Sequence, residues 1–294
     1  PAGTEVTFTE KGYSAEGYNV TINGKAVSEE NADKVTATAV ENKTEAAHFV
    51  NAYSQKVGSV QVTKSFSGVT GLPKGFQITN SYNDAVFTVN NAASGNGTAE
   101  NPYTWVIENV PAGTEVTFTE KGYSAEGYNV TINGKAVSEG NADKVTATAV
   151  ENETAAAHFV NAYSQKVGSV QVTKSFSGVT GLPEGFQITN SYNDAVFTVA
   201  NAKSGNGKAE NPYTWVIENV PAGTEVTFTE SGYSAEGYNV TINGKAVSEE
   251  GADKAAATAA EGEVKTASFV NAYSQKVGSV QVTKSFSGVT GLPE

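Results

Sequence analysis

The chain of 294 residues carries 19 Lys+Arg against 31 Asp+Glu, a formal net charge of −12, and neither Cys nor Met. The acidic balance speaks against nucleic acid and anionic membranes as partners, since both need Lys/Arg-rich faces. The missing cysteines remove disulfides, thiolate metal sites and cysteine nucleophiles together. A length near 300 leaves room for about two ordinary domains.

Repetition dominates the organisation. The string PAGTEVTFTE begins at Pro1, Pro111 and Pro221, a period of 110 residues. Residues 1–110 differ from 111–220 at seven positions, and 221–294 differ from 111–184 at eleven. Solenoid units repeat every 20–50 residues or so, so this period describes whole domains in a string. The polar stretch NAYSQKVGS at 51–59, 161–169 and 271–279 lies between strand-like runs and marks the boundaries. Two complete domains are expected at 57–166 and 167–276. Residues 1–56 then form the C-terminal part of a preceding repeat, and 277–294 the N-terminal strand of a following one. The chain opens at Pro1 without Met, has no secretory leader and no run of about 18 apolar residues, and reads as an excerpt of a longer protein.

In the first complete repeat, period-two alternation rich in Val, Thr, Phe and Tyr predicts strands at 59–66, 75–80, 85–90, 103–109, 114–120, 127–133, 135–139, 144–150 and 155–163. Asn133-Gly134 is the dipeptide of a tight hairpin turn. No segment carries a helical stripe. So many short strands in one repeat predict an all-β fold of tandem antiparallel β-sandwich domains, Ig-like or prealbumin-like. About thirteen residues separate Asn161 from Lys174, much of it strand, so the domains are expected to form a stiff rod.

The alternation also selects the inward residues. Val60, Val62 and Phe66 share parity with Lys64; Val116 and Phe118 share it with Glu120; Phe159 and Tyr163 share it with Asn161. Each of three strands thus aims one polar group at the core, where Lys and Glu are almost never found unpaired. One reading is a buried Lys–Glu ion pair capped by an amide. The other is chemical: desolvation favours neutral amine and carboxylic acid, an amine attacks the Asn amide, and the acid moves the protons. Its product is a Lys–Asn isopeptide bond between the first and last strands. Glu108, in VIENV, is the lesser candidate for the acid.

The segments VQVTKSF with Lys64, GTEVTFTEKGYSAEGY over 113–128 and FVNAY over 159–163 resemble the three signatures of Cna-B-type domains of Gram-positive pilins and adhesin stalks. The loop after Glu120 departs from that pattern in having no proline. The resemblance implies the pairs Lys64–Asn161 with Glu120 and Lys174–Asn271 with Glu230. Glu10, Asn51 and Lys284 are left without a full set of partners in this chain. It further implies a stalk or spacer of an adhesin, pilus or fibre on the bacterial cell surface, attached to the cell wall. Its partners would be neighbouring repeats and other copies in a fibre, and its tip ligand stays open. No cofactor is implied, and no enzymatic turnover, because the reaction consumes its own side chains.

Other features give weaker signals. His48 and His158 point outward and are replaced by Ser268 in the third copy, which does not suggest a metal site. Trp105 and Trp215 lie on the opposite face from Val106 and Val216, beside Tyr103 and Tyr213. Were these aromatics exposed, they would make a carbohydrate-stacking platform and the chain a ligand-binding adhesin module. A homopolymeric extracellular filament is the third reading.

Overall fold

The computed structural model describes residues 1–288 and 290–291. It divides into two compact units, one over residues 1–164 and one from 165 onward. The first unit opens with β1 (Glu5–Thr9), β2 (Tyr18–Ile22), β3 (Lys25–Ala26), β4 (Lys34–Thr38) and β5 (Asn51–Gln55). After Lys56 come β6 (Val57–Ser67), β7 (Gln77–Asn80), β8 (Val86–Phe87), β9 (Tyr103–Pro111), β10 (Glu115–Lys121), β11 (Tyr128–Ile132), β12 (Lys135–Ala136), β13 (Lys144–Thr148) and β14 (Thr154–Gln165). The second unit holds β15 (Val167–Ser177), β16 (Gln187–Asn190), β17 (Tyr213–Pro221), β18 (Glu225–Ser231), β19 (Tyr238–Ile242), β20 (Lys245–Ala246), β21 (Lys254–Thr258) and β22 (Val264–Gln275). Among the described residues there is no α-helix.

Between β6 and β14, a five-stranded sheet ordered β12-β11-β14-β6-β9 faces a four-stranded sheet ordered β13-β10-β7-β8. The alternation explains the core between them. Val60 and Val62 of β6, Trp105 and Ile107 of β9, and Phe159 of β14 meet Ile78, Phe87, Val116 and Phe118 from the opposite sheet. The second unit repeats this with β17-β15-β22-β19-β20 over β16-β18-β21. The chain is thus a tandem of all-β sandwich domains.

One pairing departs from the antiparallel expectation. β6 and β14 run parallel, with Lys64 opposite Phe159 and Phe66 opposite Asn161; β15 and β22 do the same. The β6–β9, β10–β13, β10–β7 and β15–β17 ladders are antiparallel. A parallel pair needs a long crossover, and here nearly the whole domain is that crossover.

The strand expected at 85–90 shrinks to Val86–Phe87 followed by a single 3₁₀ turn, Val89–Asn91. Asn91 Oδ1 accepts from Thr88 N at 2.8 Å and from Trp105 Nε1 at 2.9 Å, so the chain folds back to satisfy the indole instead of extending. Trp105 is 2% exposed and stacks on Phe87. Both tryptophans are core residues, and the exposed stacking platform that the adhesin-module reading needs does not exist.

Residues 1–56 hold counterparts of β10 to β14 only. Val6 and Phe8 are 44% and 46% exposed there, whereas Val116 and Phe118 are fully buried. Residues 277–287 match β6 in sequence but form no strand, because a strand requires a partner for its ladder. Val289 and residues 292–294 of the expected following strand lie outside the described residues.

Candidate functional site

Lys64 enters the core from β6, Asn161 from the adjoining β14, and Glu120 from β10 in the opposite sheet. The parallel register sets Asn161 two residues beyond the position opposite Lys64, a diagonal on one face that long side chains span. All three residues are 0% exposed. The Lys64 Nζ lies 3.0 Å from Glu120 Oε1 and 3.1 Å from Oε2. Asn161 Nδ2 donates a hydrogen bond to Glu120 Oε1. The rings of Phe66, Phe76 and Phe159 enclose the ammonium at 4.6, 5.6 and 5.8 Å from their centroids.

The second unit rebuilds the same site. Lys174 Nζ lies 2.9 and 3.0 Å from the two Glu230 oxygens, and Asn271 Nδ2 donates to Glu230 Oε1. Glu108 is exposed on β9 and takes no part.

Burial sets the electrostatics. It pulls the amines of Lys64 and Lys174 down to about 8 against the opposing charge of the paired glutamate. It pushes the carboxyls of Glu120 and Glu230 up, against the lysine and the hydrogen bond from Asn. Both shifts favour moving one proton from amine to carboxylate within the pair.

The Asn carbonyl is the odd member. Among the described residues, the buried side-chain polar atoms without a hydrogen-bond partner are Asn161 Oδ1, Asn271 Oδ1, Asn51 Oδ1 and Glu10 Oε2. Each occupies a triad position. Leaving such an atom unpaired costs about 1–3 kcal/mol, and a native structure that concentrates these costs in one constellation calls for an explanation.

The remaining predicted residues are placed as follows. Asn51 Nδ2 donates to Glu10 Oε1 at 2.6 Å with no lysine beside them. Lys284 is exposed, its Nζ 5.1 Å from the centre of the Phe286 ring. His158 is exposed, and its Nδ1 is hydrogen-bonded to Thr63 Oγ1 at 2.8 Å. No cluster of metal-ligating side chains occurs among the described residues. No helix there is long and apolar enough to cross a membrane.

Sequence reasoning set Phe76 on the inward face of the strand expected at 75–80, in parity with Ile78, without linking it to the lysine; the structure holds it just before β7, against the ammonium. Sequence reasoning missed the hydroxyl of Tyr163, which donates to Tyr123 O at 2.7 Å beside the site. The shared parity of Tyr163 with Asn161 was the available signal.

Fold and site together define a tandem β-sandwich protein with a buried Lys–Glu–Asn triad in each complete repeat. The chain belongs to the family described as a domain of unknown function (DUF5979), which matches residues 60–164 and 170–274. Among solved structures, the Bacillus anthracis TIE protein is similar at 14% identity and a TM-score of 0.34, over 92% of this chain and 52% of its own. The major pilin from Streptococcus pyogenes is similar at 15% identity and a TM-score of 0.28, over 74% of this chain and 98% of its own. The chain therefore spans about half the length of the TIE protein. At scores this low the fold rests on the strands and registers above. No curated protein matches the sequence.

Proposed function

We propose that the chain is part of an extracellular stalk, a spacer in an adhesin, pilus or fibre on a bacterial cell wall, whose repeats close their own Lys–Asn isopeptide bonds. The carrying observation is the triad Lys64–Glu120–Asn161, sealed from water and repeated as Lys174–Glu230–Asn271. The sequence resemblance to Cna-B-type stalk domains supports the same reading, as does a tandem of near-identical acidic repeats. The repeat limits 57–166 and 167–276 are part of this proposal, as is the stiffness of the array.

The chemistry balances within the site. A proton passes from Lys64 to Glu120, leaving a neutral amine and a carboxylic acid. The amine nitrogen bonds to Asn161 Cγ, and the carbonyl oxygen takes up the displaced electron pair. The new nitrogen gives up a proton through Glu120 to Nδ2, the Cγ–Nδ2 bond breaks, and ammonia leaves. Glu120 still holds the proton it took from the ammonium; handing it to the departing ammonia, which leaves as ammonium, restores the carboxylate, and one amide has replaced another. A folded core that holds the reactants together supplies effective molarities of roughly 10⁵ M or more.

The bond would join β6 to β14, the first and last strands of the repeat. In the chain-entropy treatment, closing a loop of about 100 residues contributes roughly 4–5 kcal/mol. Its mechanical effect is larger, since tension entering on β6 and leaving on β14 bypasses the sheet hydrogen bonds. A single-molecule pulling experiment tests this. The unsubstituted chain should show no extension step from either complete repeat, and Lys64→Ala should release one repeat. Two unfolding steps in the unsubstituted chain would leave the buried ion pair as the whole function of the triad.

A further inference from the structure

At the turn between β11 and β12, Asn133 and Gly134 take φ of 51° and 78°, the left-handed pair that a type I′ hairpin turn requires. Asp or Gly would meet that demand as well as Asn does. Only Asn also meets what the side chain does here. Its Nδ2 donates to His158 O at 2.9 Å and its Oδ1 accepts from Val160 N at 2.8 Å, while its backbone N donates to Val160 O at 2.8 Å. The amide thus acts as one more residue of β11 and holds β14 over the three residues that precede Asn161. A carboxylate has no hydrogen for His158 O, and glycine has neither group. Asn243 makes the same three bonds to Ser268 and Val270, and Ile242, just before it, faces Asn271 across the ladder. Asn23 makes them to His48 and Val50, although residues 44–50 form no strand and residues 1–56 hold no counterpart of β6. The clamp therefore forms without β6, and in that half-repeat Asn51 Nδ2 already donates to Glu10 Oε1.

We propose that Asn133 and Asn243 are positioning residues for isopeptide formation: each side-chain amide fixes the stretch of β14 or β22 that carries the reacting asparagine, and so sets its carbonyl carbon against the lysine of β6 or β15. The inference deepens the Lys–Asn reading above and rests on it. The lysine needs no such help, because β6 is paired on both sides, by β14 and β9. The asparagine does. β11 ends at Ile132, so beyond it the side of β14 away from β6 would be left without a ladder partner, and the amide supplies one. Asn133 exchanges no atom; the bonds made and broken are those already given.

The test uses Asn133→Gly, which keeps the turn and loses both side-chain bonds, and Asn133→Asp, which keeps the turn and the acceptor for Val160 N but sets an oxygen against His158 O. Each full chain is collected unbonded from inclusion bodies and refolded until the fluorescence of Trp105 and Trp215 is constant. The linked peptides at both sites are then followed by mass without denaturant, at neutral pH for both variants and across a pH series for Asn133→Gly. The Lys64–Asn161 bond is expected to form about tenfold more slowly or worse, as misaimed reactants do. The limbs of the pH profile stay unmoved, since the amide is bonded to neither Lys64 nor Glu120. The Lys174–Asn271 bond in the same molecules keeps its original pace, and Asn243→Gly reverses the pattern. A residue that served stability alone would lower the urea midpoint and leave the rate in the folded repeat as it was, a result that overturns the proposal. So does an alkaline limb moved toward the ordinary lysine value, which marks a pocket opened to water. Failure of both variants to fold also overturns it, because Asn133 would then be a requirement of folding. Absence of both bonds in the unsubstituted chain is a separate result, which overturns the Lys–Asn reading itself.

Discussion

Lys64 and Glu120 form a fully buried pair between which one proton can pass, and the pH dependence of the proposed bond formation follows from that pairing. The reactive pair, amine and carboxylic acid, holds the same number of protons as the ion pair, so activation draws none from solvent. When acid adds a second proton to the pair, the lysine stays an ammonium and no nucleophile remains. When base removes the last proton, the carboxylate has none to give the departing ammonia. The rate should therefore be bell-shaped, with apparent limbs that belong to the pair. Because burial raises the carboxyl from 4.5 and lowers the amine from 10.5, the acid limb lies above the first value and the alkaline limb below the second. A rate that climbs steadily to the ordinary lysine value would contradict this. Glu120→Gln removes both the proton carrier and the counter-charge. It should abolish ammonia loss at Lys64–Asn161, leave Lys174–Asn271 intact, and cost about 3–5 kcal/mol through the unpaired buried ammonium. Peptide mapping and urea unfolding check the two parts.

The strands themselves were largely legible, because period-two alternation is the physical consequence of a half-buried sheet. It placed Lys64, Glu120 and Asn161 on inward faces before any coordinates, and the structure buries all three. The direction of pairing was not legible: side chains alternate identically in parallel and antiparallel ladders, so nothing in SVQVTKSF or AHFVNAY says that β6 and β14 run the same way. Nor could residues 85–90 disclose that Asn91 would turn back to the Trp105 indole, a contact made across sequence. Close approach of backbones was equally hidden. A Cβ on Gly58 would lie 1.9 Å from Val150 O, in the connection that leads from β13 into β14. Gly58→Ala should therefore push that connection off β6 and lower stability by about 3 kcal/mol or more, at the upper end of overpacking costs. Denaturant unfolding measures it, and an unshifted midpoint would show that the connection yields without cost.

Across the chain, the same device appears wherever a repeat is complete and only in part where it is not. Glu10 and Asn51 find each other without a lysine, and Lys284 lies exposed without an acid or an amide. Within the first unit, Glu151 accepts from Asn19 Nδ2 at 2.6 Å and pairs with Lys56 at 3.5 Å, which ties residues 1–56 to the repeat that follows them. Such exposed pairs contribute about 0–1 kcal/mol each, so strength along the array must come from inside the repeats. The covalent strap proposed for each repeat would answer that need in a chain without cysteine. The decisive measurement is the intact mass of the denatured full chain, with the linked peptides sequenced. The account predicts a deficit of two ammonia molecules against the sequence mass, one at Lys64–Asn161 and one at Lys174–Asn271. A mass equal to that of the unmodified sequence would contradict it.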